Sequence, residues 1–220
     1  MPGLPLSAAL IAFSYLFGSM PMGLIIVRVV AGKDIRAVGS GRTGGTNAMR
    51  AAGFLPGVLT AFADIGKGFV AVWLARQLAP SGSHVLEALC AIAAVAGHNW
   101  PVYLGFKGGA GTSPNVGAAG AFWWPALLIM IPSGAAILFG TGYASVASTA
   151  ISFGLIVIFA LRAILEHQPV EYVGYAAVTF VLVALALIPN YRRLIAGTER
   201  LVGPRAKSAS PGGADVVRPK

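Results

Sequence analysis

Residues 108–161 read GGAGTSPNVGAAGAFWWPALLIMIPSGAAILFGTGYASVASTAISFGLIVIFAL, and this stretch contains no charged residue. As a single helix its 54 residues would be about 80 Å long, whereas a membrane crossing needs only about 20 apolar residues. The stretch must therefore fold into two or three crossings. Pro125, Gly140 and Gly142 stand where breaks are needed.

The composition of the whole chain agrees with a membrane protein. Of its 220 residues, 56% are hydrophobic and only 10% are charged, against about 25% charged residues in soluble domains. This excludes a soluble globular domain, a disordered protein and a nucleic-acid-binding module. The net charge of +9 is then typical of a basic cytoplasmic face, with membrane lipids as partners and no nucleic acid.

Four further apolar stretches are long enough to cross a bilayer, at about 4–30, 54–78, 85–104 and 170–189. Residues 1–27 carry no side-chain charge, so the basic region of a cleaved signal peptide is absent and the first span is expected to be retained. We expect one membrane domain over residues 1–202. A disordered cytoplasmic tail rich in Gly, Pro and Ser is expected over residues 203–220.

The distribution of charge predicts the topology. Residues 28–50 and 192–220 together hold 12 of the 16 Lys and Arg residues, so both segments should be cytoplasmic. After the second and third spans the chain is on the cytoplasmic side again near residue 106. Because residue 192 is also cytoplasmic, an even number of crossings must lie between them. Because the last span is one of them, the uncharged stretch supplies three, at about 114–124, 125–140 and 144–161. The sequence thus predicts an all-α bundle of seven transmembrane helices, one of them short, with the N-terminus out and the C-terminus in.

The first polar cluster is GSGRTGGTNAMR at residues 39–50. Its glycines allow turns whose N–H groups can face an anion, and Arg42 and Arg50 suit a phosphate. The glycines also fit the pattern of a dinucleotide-binding loop, but such a loop follows a β-strand, whereas this cluster follows a membrane helix. The acidic residue that the pattern requires further along would be Asp64, which lies inside a span, so this function is excluded. The alternative is a flexible basic loop, but the density of donors favours phosphate binding. The neutral donors are Ser40, Thr43, Thr46 and Asn47.

The second cluster is GHNWPVYLGFKGGAG at residues 97–111. Lys107 leads a glycine run that could form another anion-binding loop. His98 lies at the membrane end of the third span. It could act as a base or hydrogen-bond donor, or it could be an interfacial histidine that is hydrogen-bonded to the backbone. The residue type alone does not decide between these two interpretations.

The third cluster is PNYRRLIAGTER at residues 189–200, and all three clusters fall in cytoplasmic loops under the predicted topology. Arg192 is expected to anchor the last span at lipid headgroups. Glu199 is expected to pair with arginines rather than act as a base.

Polar residues inside the spans are few. Asp64 and Lys67 stand three apart on one helix and can neutralise each other. Tyr143, Ser145 and Ser148 are expected at the mouth shared by the clusters. No spacing suggests a covalent nucleophile or a metal site, so any reaction would depend on positioning and electrostatics.

These motifs, in this order, resemble the acyl-phosphate:glycerol-3-phosphate acyltransferases, the PlsY-type family. The resemblance runs from about residue 4 to residue 199. The first motif is matched by Ser40, Gly41, Gly44, Thr46, Asn47 and Arg50. The second motif is matched by His98, Pro101, Phe106, Lys107, Gly108, Gly109 and Gly111, and the third by Asn190, Arg193, Leu194, Gly197, Thr198 and Glu199. A further D-x-x-K-G motif of the family is matched by Asp64, Lys67 and Gly68.

The resemblance implies a bacterial inner-membrane enzyme with a cytoplasmic active site. It would transfer a fatty acyl group from acyl phosphate to the 1-hydroxyl of glycerol 3-phosphate, giving lysophosphatidate and phosphate in the first step of phospholipid synthesis. No cofactor is implied: no metal, CoA or ATP. The expected catalytic residues are Ser40, Arg50, His98 and Lys107; the expected substrate-binding residues are Gly41, Arg42, Gly44, Thr46, Asn47, Gly108, Gly109, Gly111, Ser145, Asn190, Arg193 and Glu199.

Several positions depart from the family pattern. Arg42 replaces an asparagine, Ala110 a lysine and Leu187 a histidine, while Ala186 and Gly142 replace arginines. Two alternatives therefore stay open at the level of sequence. One is a catalytically impaired paralogue that binds an anionic lipid or phosphorylated metabolite. The other is a small transporter, which the scarcity of polar residues in the spans disfavours.

Overall fold

The computed structural model of the chain describes residues 3–202, and within that range it is helical without a β-strand. The predicted tail at 203–220 lies outside the described residues. The helices are α1 (Leu4–Gly18), α2 (Met22–Ala31), α3 (Gly45–Ala52), α4 (Phe54–Leu78), α5 (His84–Asn99), α6 (Thr112–Phe122), α7 (Pro125–Thr141), α8 (Ala144–Leu165) and α9 (Glu171–Ile195).

The helices confirm a polytopic membrane protein. Five segments are long and apolar enough to cross a bilayer, with α1 and α2 taken together as one, and α7 is a shorter apolar helix. Large apolar side chains face outward along them, as at Phe62, Leu128 and Ile164. Such a surface would be unfavourable in water and suits contact with lipid chains.

The first predicted span is not one continuous helix. It divides at residues 19–21, because Pro21 has no N–H to donate and disfavours helical geometry in the residue before it. The break frees the carbonyls of Gly18 and Met20, and both accept hydrogen bonds from the buried ammonium of Lys67, at 3.0 and 2.8 Å.

The uncharged stretch forms three helices, as predicted. The short one, α6, begins two residues earlier than expected, and α8 continues four residues further, to Leu165. α7 ends at Thr141 and is followed by Gly142, whose φ of 80° is a left-handed conformation that glycine adopts without strain.

The last helix was predicted to end at residue 189, but α9 runs through Pro189 to Ile195. The third polar cluster therefore begins on the last two turns of a helix, and the expectation that it is wholly a loop was wrong. An apolar run followed by proline predicted an end, but membrane helices tolerate proline where neighbours satisfy the freed carbonyls.

Glycines allow close packing in the middle of the bundle, where α4 meets α6. A Cβ on Gly68 would overlap the carbonyl oxygen of Pro114, and a Cβ on Gly117 would overlap that of Ile65. Small residues let two backbones approach in this way within a membrane domain. The contact fixes the start of α6 against α4.

Two further clusters hold the helices together away from the start of α6. Aromatic rings from α6, α8 and α9 pack around Phe122, whose ring centroid lies 4.2 Å from that of Tyr172. At the same end, Arg76 of α4 lies 2.7 Å from the buried carboxylate of Glu87 on α5 and donates to the carbonyl of Ala121. These contacts leave the opposite end of the bundle free to form a pocket.

Candidate active site

The three polar clusters of the sequence meet in one pocket. Its cavity measures about 110 Å³, and its walls come from the loop before α3, the junction of α5 and α6, the start of α8 and the end of α9. The lining residues are Ser40, Arg42, Gly44, Gly45, Thr46, Asn47, Arg50, His98, Ala110, Gly111, Thr112, Ser113, Ala144, Ser145, Ser148, Leu187, Asn190, Arg193, Glu199 and Arg200.

Three helices begin at this pocket. α3 starts after Gly44, α6 starts after Gly111 and α8 starts after Tyr143, and residues of each first turn line the wall. The first N–H groups of a helix have no partner within it, and the helix dipole places partial positive charge there. Three such ends around one cavity create a strong preference for anions.

Fixed charges strengthen this preference. Four arginines and one glutamate line the pocket: Arg42, Arg50, Arg193, Arg200 and Glu199. Burial lowers the pKa of Arg42 and of Arg50, and a neighbouring arginine adds to the effect in each case. Both guanidinium groups nevertheless stay protonated at neutral pH. The pocket therefore carries a net positive charge, because its single carboxylate balances only one of the four guanidinium groups.

Glu199 orders the third cluster, as predicted. Its carboxylate accepts hydrogen bonds from the amide of Asn190 at 2.7 Å and from Nε of Arg193 at 3.0 Å. Both of its oxygens are used by these neighbours, which fits a structural carboxylate better than a base. The Oδ1 atom of Asn190 is buried without a hydrogen-bond partner in the described part of the chain.

Two arginines bridge distant segments across the pocket. Arg42 donates through Nη2 to the carbonyl of Ala186 on α9, and its Nη1 is buried without a partner among residues 3–202. Arg200 donates to the carbonyl of Gly39, and its own carbonyl accepts from Arg50 at 3.2 Å. The first and third clusters are thereby held against each other.

Asn47 organises the first loop. Its Oδ1 accepts from the amide of Ser40 at 3.1 Å, while Nδ2 donates to three carbonyls, those of Ile35, Val38 and Arg42, at 2.9 to 3.1 Å. The expectation that Asn47 holds a phosphate is therefore corrected, because its side-chain amide is already used within the loop. It shapes the wall that presents Ser40 and Arg50.

The glycine run of the second cluster also has a structural role that differs from the anion binding expected of it. The amide of Gly108 donates to the carbonyl of Asn99 at 3.2 Å, and that of Gly109 donates to the carbonyl of His98 at 3.0 Å. Neither is free to bind an anion, so the proposed cradle of these two amides is wrong. The free amides lie just beyond them, where α6 begins.

Lys107 lies on an exposed loop outside the lining of the pocket. Gly41 also lies outside it, and its φ of 72° turns the first loop. The other predicted residues Ser40, Arg42, Gly44, Thr46, Arg50, Gly111, Ser145, Asn190, Arg193 and Glu199 line the pocket. Ser148 does so as well, whereas Tyr143 does not.

Sequence reasoning missed five lining residues as site candidates: Gly45, Thr112, Ser113, Ala144 and Arg200. Four of them belong to first turns of helices, and the flanking glycines were the available signal for those ends. The departures at Ala110 and Leu187 also line this pocket, as Arg42 does.

His98 reaches the pocket from α5 and contacts the charged pair inside the bundle. Lys67 and Asp64 form the predicted ion pair, with Nζ 2.8 Å from Oδ1. Nδ1 of His98 lies 3.3 Å from that ammonium. The histidine therefore joins a buried charged cluster, rather than bonding only to backbone at an interface.

An apolar groove lies between α8 and α9, on the helices that carry Ser145, Ser148 and Asn190. Its volume is about 460 Å³, and a hydrogen bond of 2.7 Å joins two of its lining residues, Thr149 and Tyr191. The groove is lined by Val146, Thr149, Ala150, Phe153, Phe180, Tyr191 and Leu194. A long apolar ligand could lie there with its polar end in the pocket.

Comparison with known proteins now identifies the family. A family profile described as glycerol-3-phosphate acyltransferase matches residues 8–197. The chain belongs to the glycerol-3-phosphate acyltransferase family. The resemblance noted in the sequence is thus confirmed.

Curated glycerol-3-phosphate acyltransferases match along nearly their whole length. The protein from Shouchella clausii is 36% identical over 198 residues, covering 89% of this chain and 95% of its own. That from Rubrobacter xylanophilus is 38% identical over 201 residues, covering 91% and 98%.

Solved glycerol-3-phosphate acyltransferase structures match in fold. The crystal structure of PlsY (YgiH), an integral membrane enzyme, in its glycerol 3-phosphate form superposes with a TM-score of 0.81 at 30% identity, covering 93% of this chain and all of the other. The lysophosphatidic acid form superposes with a TM-score of 0.79 at 28% identity, covering 91% of this chain and 97% of the other. This chain is a membrane acyltransferase of glycerol 3-phosphate, and no comparison favours the impaired alternative.

Proposed function

We propose that the acyl donor is an acyl phosphate and that transfer to the 1-hydroxyl of glycerol 3-phosphate occurs in the pocket described above. The bond between the acyl carbon and the phosphate oxygen breaks, and an ester bond to the glycerol oxygen forms. The products are lysophosphatidate and inorganic phosphate, which takes up the hydroxyl proton. The observation that carries this proposal is one strongly cationic pocket beside an apolar groove.

The cationic pocket suits two phosphates. The start of α3, with Ser40, Thr46 and Arg50, would hold one of them. The starts of α6 and α8, with Arg42 and Arg193, would hold the other. Each set combines helix N–H groups with guanidinium groups, which form the stronger, charge-assisted hydrogen bonds to phosphate.

The apolar groove suits the acyl chain. It lies between α8 and α9, and four of its residues directly follow a pocket-lining residue in the sequence: Val146, Thr149, Tyr191 and Leu194. A donor already dissolved in the bilayer gains little hydrophobic free energy there, so the groove would serve to align the chain. An activated donor held in this way needs no covalent intermediate, so positioning and charge stabilisation account for the rate. Lys107, on its exposed loop, is proposed to attract the anionic donor.

We also propose that the pocket faces the cytoplasm at the inner membrane of a bacterial cell. The two segments richest in Lys and Arg, 28–50 and 192–220, contribute residues 40–50 and 193–200 to the same pocket. Basic segments stay on the cytoplasmic side during insertion. Glycerol 3-phosphate, a soluble anion, would enter from there.

The donor is tested by comparing two acyl donors with labelled glycerol 3-phosphate and purified protein in lipid. We expect labelled lysophosphatidate from palmitoyl phosphate and none above background from palmitoyl-CoA. Equal use of palmitoyl-CoA would contradict the proposed donor, while leaving the family's acyltransferase activity in place.

A further inference from the structure

A buried charged cluster behind the pocket has no part in the proposal so far. Asp64 and Lys67 of α4 and His98 of α5 are 1%, 3% and 5% exposed. Only His98 of the three lines the pocket. Charged groups this deep in a membrane domain are costly to bury, so their arrangement calls for an explanation.

The Lys67 ammonium has three hydrogen-bond partners besides the carboxylate of Asp64. Two of them are the carbonyls of Gly18 and Met20 at the break in the first span, at 3.0 and 2.8 Å. The third is Nδ1 of His98, at 3.3 Å. Because an ammonium can only donate, this hydrogen bond exists only in the tautomer of His98 that carries its proton on Nε2.

Asp64 balances the charge of this ammonium. Its Oδ1 lies 2.8 Å from Nζ and 3.5 Å from Nδ1 of His98. Neither carboxylate oxygen accepts a hydrogen bond in the described part of the chain. Asp64 therefore acts on Lys67 as a counter-ion, and the ring of His98 is oriented by Lys67.

The other ring nitrogen of His98 faces Gly109. A Cβ at residue 109 would overlap Nε2, so only glycine leaves room for the ring. No hydrogen bond to Nε2 occurs within residues 3–202. With Nδ1 occupied as an acceptor, a neutral ring carries its proton on Nε2 and can donate it at the wall of the pocket.

We propose that His98 is a fixed Nε2–H donor to a substrate phosphate or to the oxyanion that develops on the acyl carbonyl, rather than a general base. Lys67 and Asp64 are its positioning residues, and they also tie it to the break in the first span. This inference rests on the proposed function. The hydroxyl proton then passes to a substrate phosphate.

The role of His98 is tested by two substitutions. His98→Gln restores an N–H group at a similar reach but has no basicity, whereas His98→Ala removes both. For a donor we expect His98→Gln to retain kcat within about tenfold of wild type, and His98→Ala to lose about 100-fold or more. Loss of about 10²- to 10⁴-fold in both variants, the range for a missing general base, would overturn the proposal.

The positioning role is tested by ¹⁵N NMR of ring-labelled histidine in lipid nanodiscs. The His98 signals are assigned from the His98→Gln difference spectrum, and we expect a protonated Nε2 and a bare Nδ1. In Lys67→Met we expect a mixture of tautomers and a lower kcat, with little change in KM for glycerol 3-phosphate. A wild-type spectrum with the proton on Nδ1 would overturn the assignment without requiring any variant to fold.

Arg76→Met provides the matched control. It also removes a cation of α4 that pairs with a buried carboxylate, that of Glu87 on α5 at 2.7 Å, but Arg76 is itself exposed and lies at the opposite end of the bundle. We expect lower thermal stability with an unchanged His98 tautomer and kcat near wild type. If wild-type protein forms no lysophosphatidate at all, the proposed function fails, and the NMR result still decides the link between Lys67 and His98.

Discussion

Arg42 is the residue that brings the departures from the family pattern together. Separate in the sequence, Arg42, Ala110 and Leu187 line the same pocket. The buried Nη1 of Arg42 has no partner in the described range, and a buried donor left in this state costs about 1–3 kcal/mol. A bound phosphate would satisfy it, and this guanidinium adds positive charge to a pocket in which Ala110 and Leu187 add none.

We therefore expect Arg42→Asn, the family residue, to lower kcat/KM by about 10- to 100-fold, as befits a lost charge-assisted hydrogen bond. Adding Ala110→Lys should recover part of the loss by returning a cation to the pocket. Arg42→Lys, which keeps the charge, should lose less than Arg42→Asn. Full activity of Arg42→Asn alone would show that this guanidinium does not contact substrate.

Asn47 shows that a residue's type and motif position do not determine which groups its side chain contacts. Its type and place in the motif suggested a phosphate ligand, because a sequence shows which groups can donate but not which carbonyls lie within reach. The structure shows four hydrogen bonds that hold residues 35–42 around its side chain.

Asn47→Ala should lower the thermal midpoint by an amount that corresponds to roughly 1–3 kcal/mol, since buried carbonyls lose their donor. It should also reduce activity, because Ser40 and Arg50 lose their support. Differential scanning fluorimetry alongside the acyl-transfer assay measures both. Loss of activity at unchanged stability would favour the direct phosphate contact.

The loop before α6 leaves room for His98 of α5, and the start of α6 brings two amides without helical partners to the pocket. Glycines at 108, 109 and 111 predicted a loop near an anion, and of these three Gly111 lines the pocket. The loop's own amides turned out to be occupied by carbonyls at the end of α5, a pairing that depends on how the chain folds back after Pro101. The hydropathy pattern and the spacing of the motifs do not predict that the chain folds back onto the end of α5.

Gly109→Ala should therefore reduce kcat by about 10- to 100-fold, since small displacements of a catalytic group have effects of that size. The added methyl group overlaps the imidazole of His98. Gly66→Ala is the matched control, because a Cβ there meets no neighbour within 4 Å. Equal activity of the two variants would contradict the close approach described here.

The whole molecule was largely predictable because charge and hydropathy constrain a membrane protein strongly. The helical class, the short α6 and the bounds of α4 followed from them. The break before Pro21 and the continuation of α9 through Pro189 did not, because a proline can end a helix or remain within it according to its tertiary neighbours.

The predicted topology, with the N-terminus outside, is tested in intact cells. With Cys90, the only cysteine, replaced by alanine, single cysteines are introduced at Ser81, Gln168 and Lys33. We expect an impermeant maleimide to label the first two from outside and to label Lys33→Cys only after permeabilisation. Labelling of Lys33→Cys in intact cells would reverse the orientation.

The central claim is that this pocket transfers an acyl group from acyl phosphate to glycerol 3-phosphate. The most direct test is phosphate release from palmitoyl phosphate by purified protein in lipid, with and without glycerol 3-phosphate. Arg50→Ala is compared with Arg36→Ala, an exposed arginine of the preceding segment that pairs with Asp34. We predict release that requires glycerol 3-phosphate, falls at least about 100-fold in Arg50→Ala and persists in Arg36→Ala. No release from folded wild-type protein, or equal release from both variants, would contradict the account.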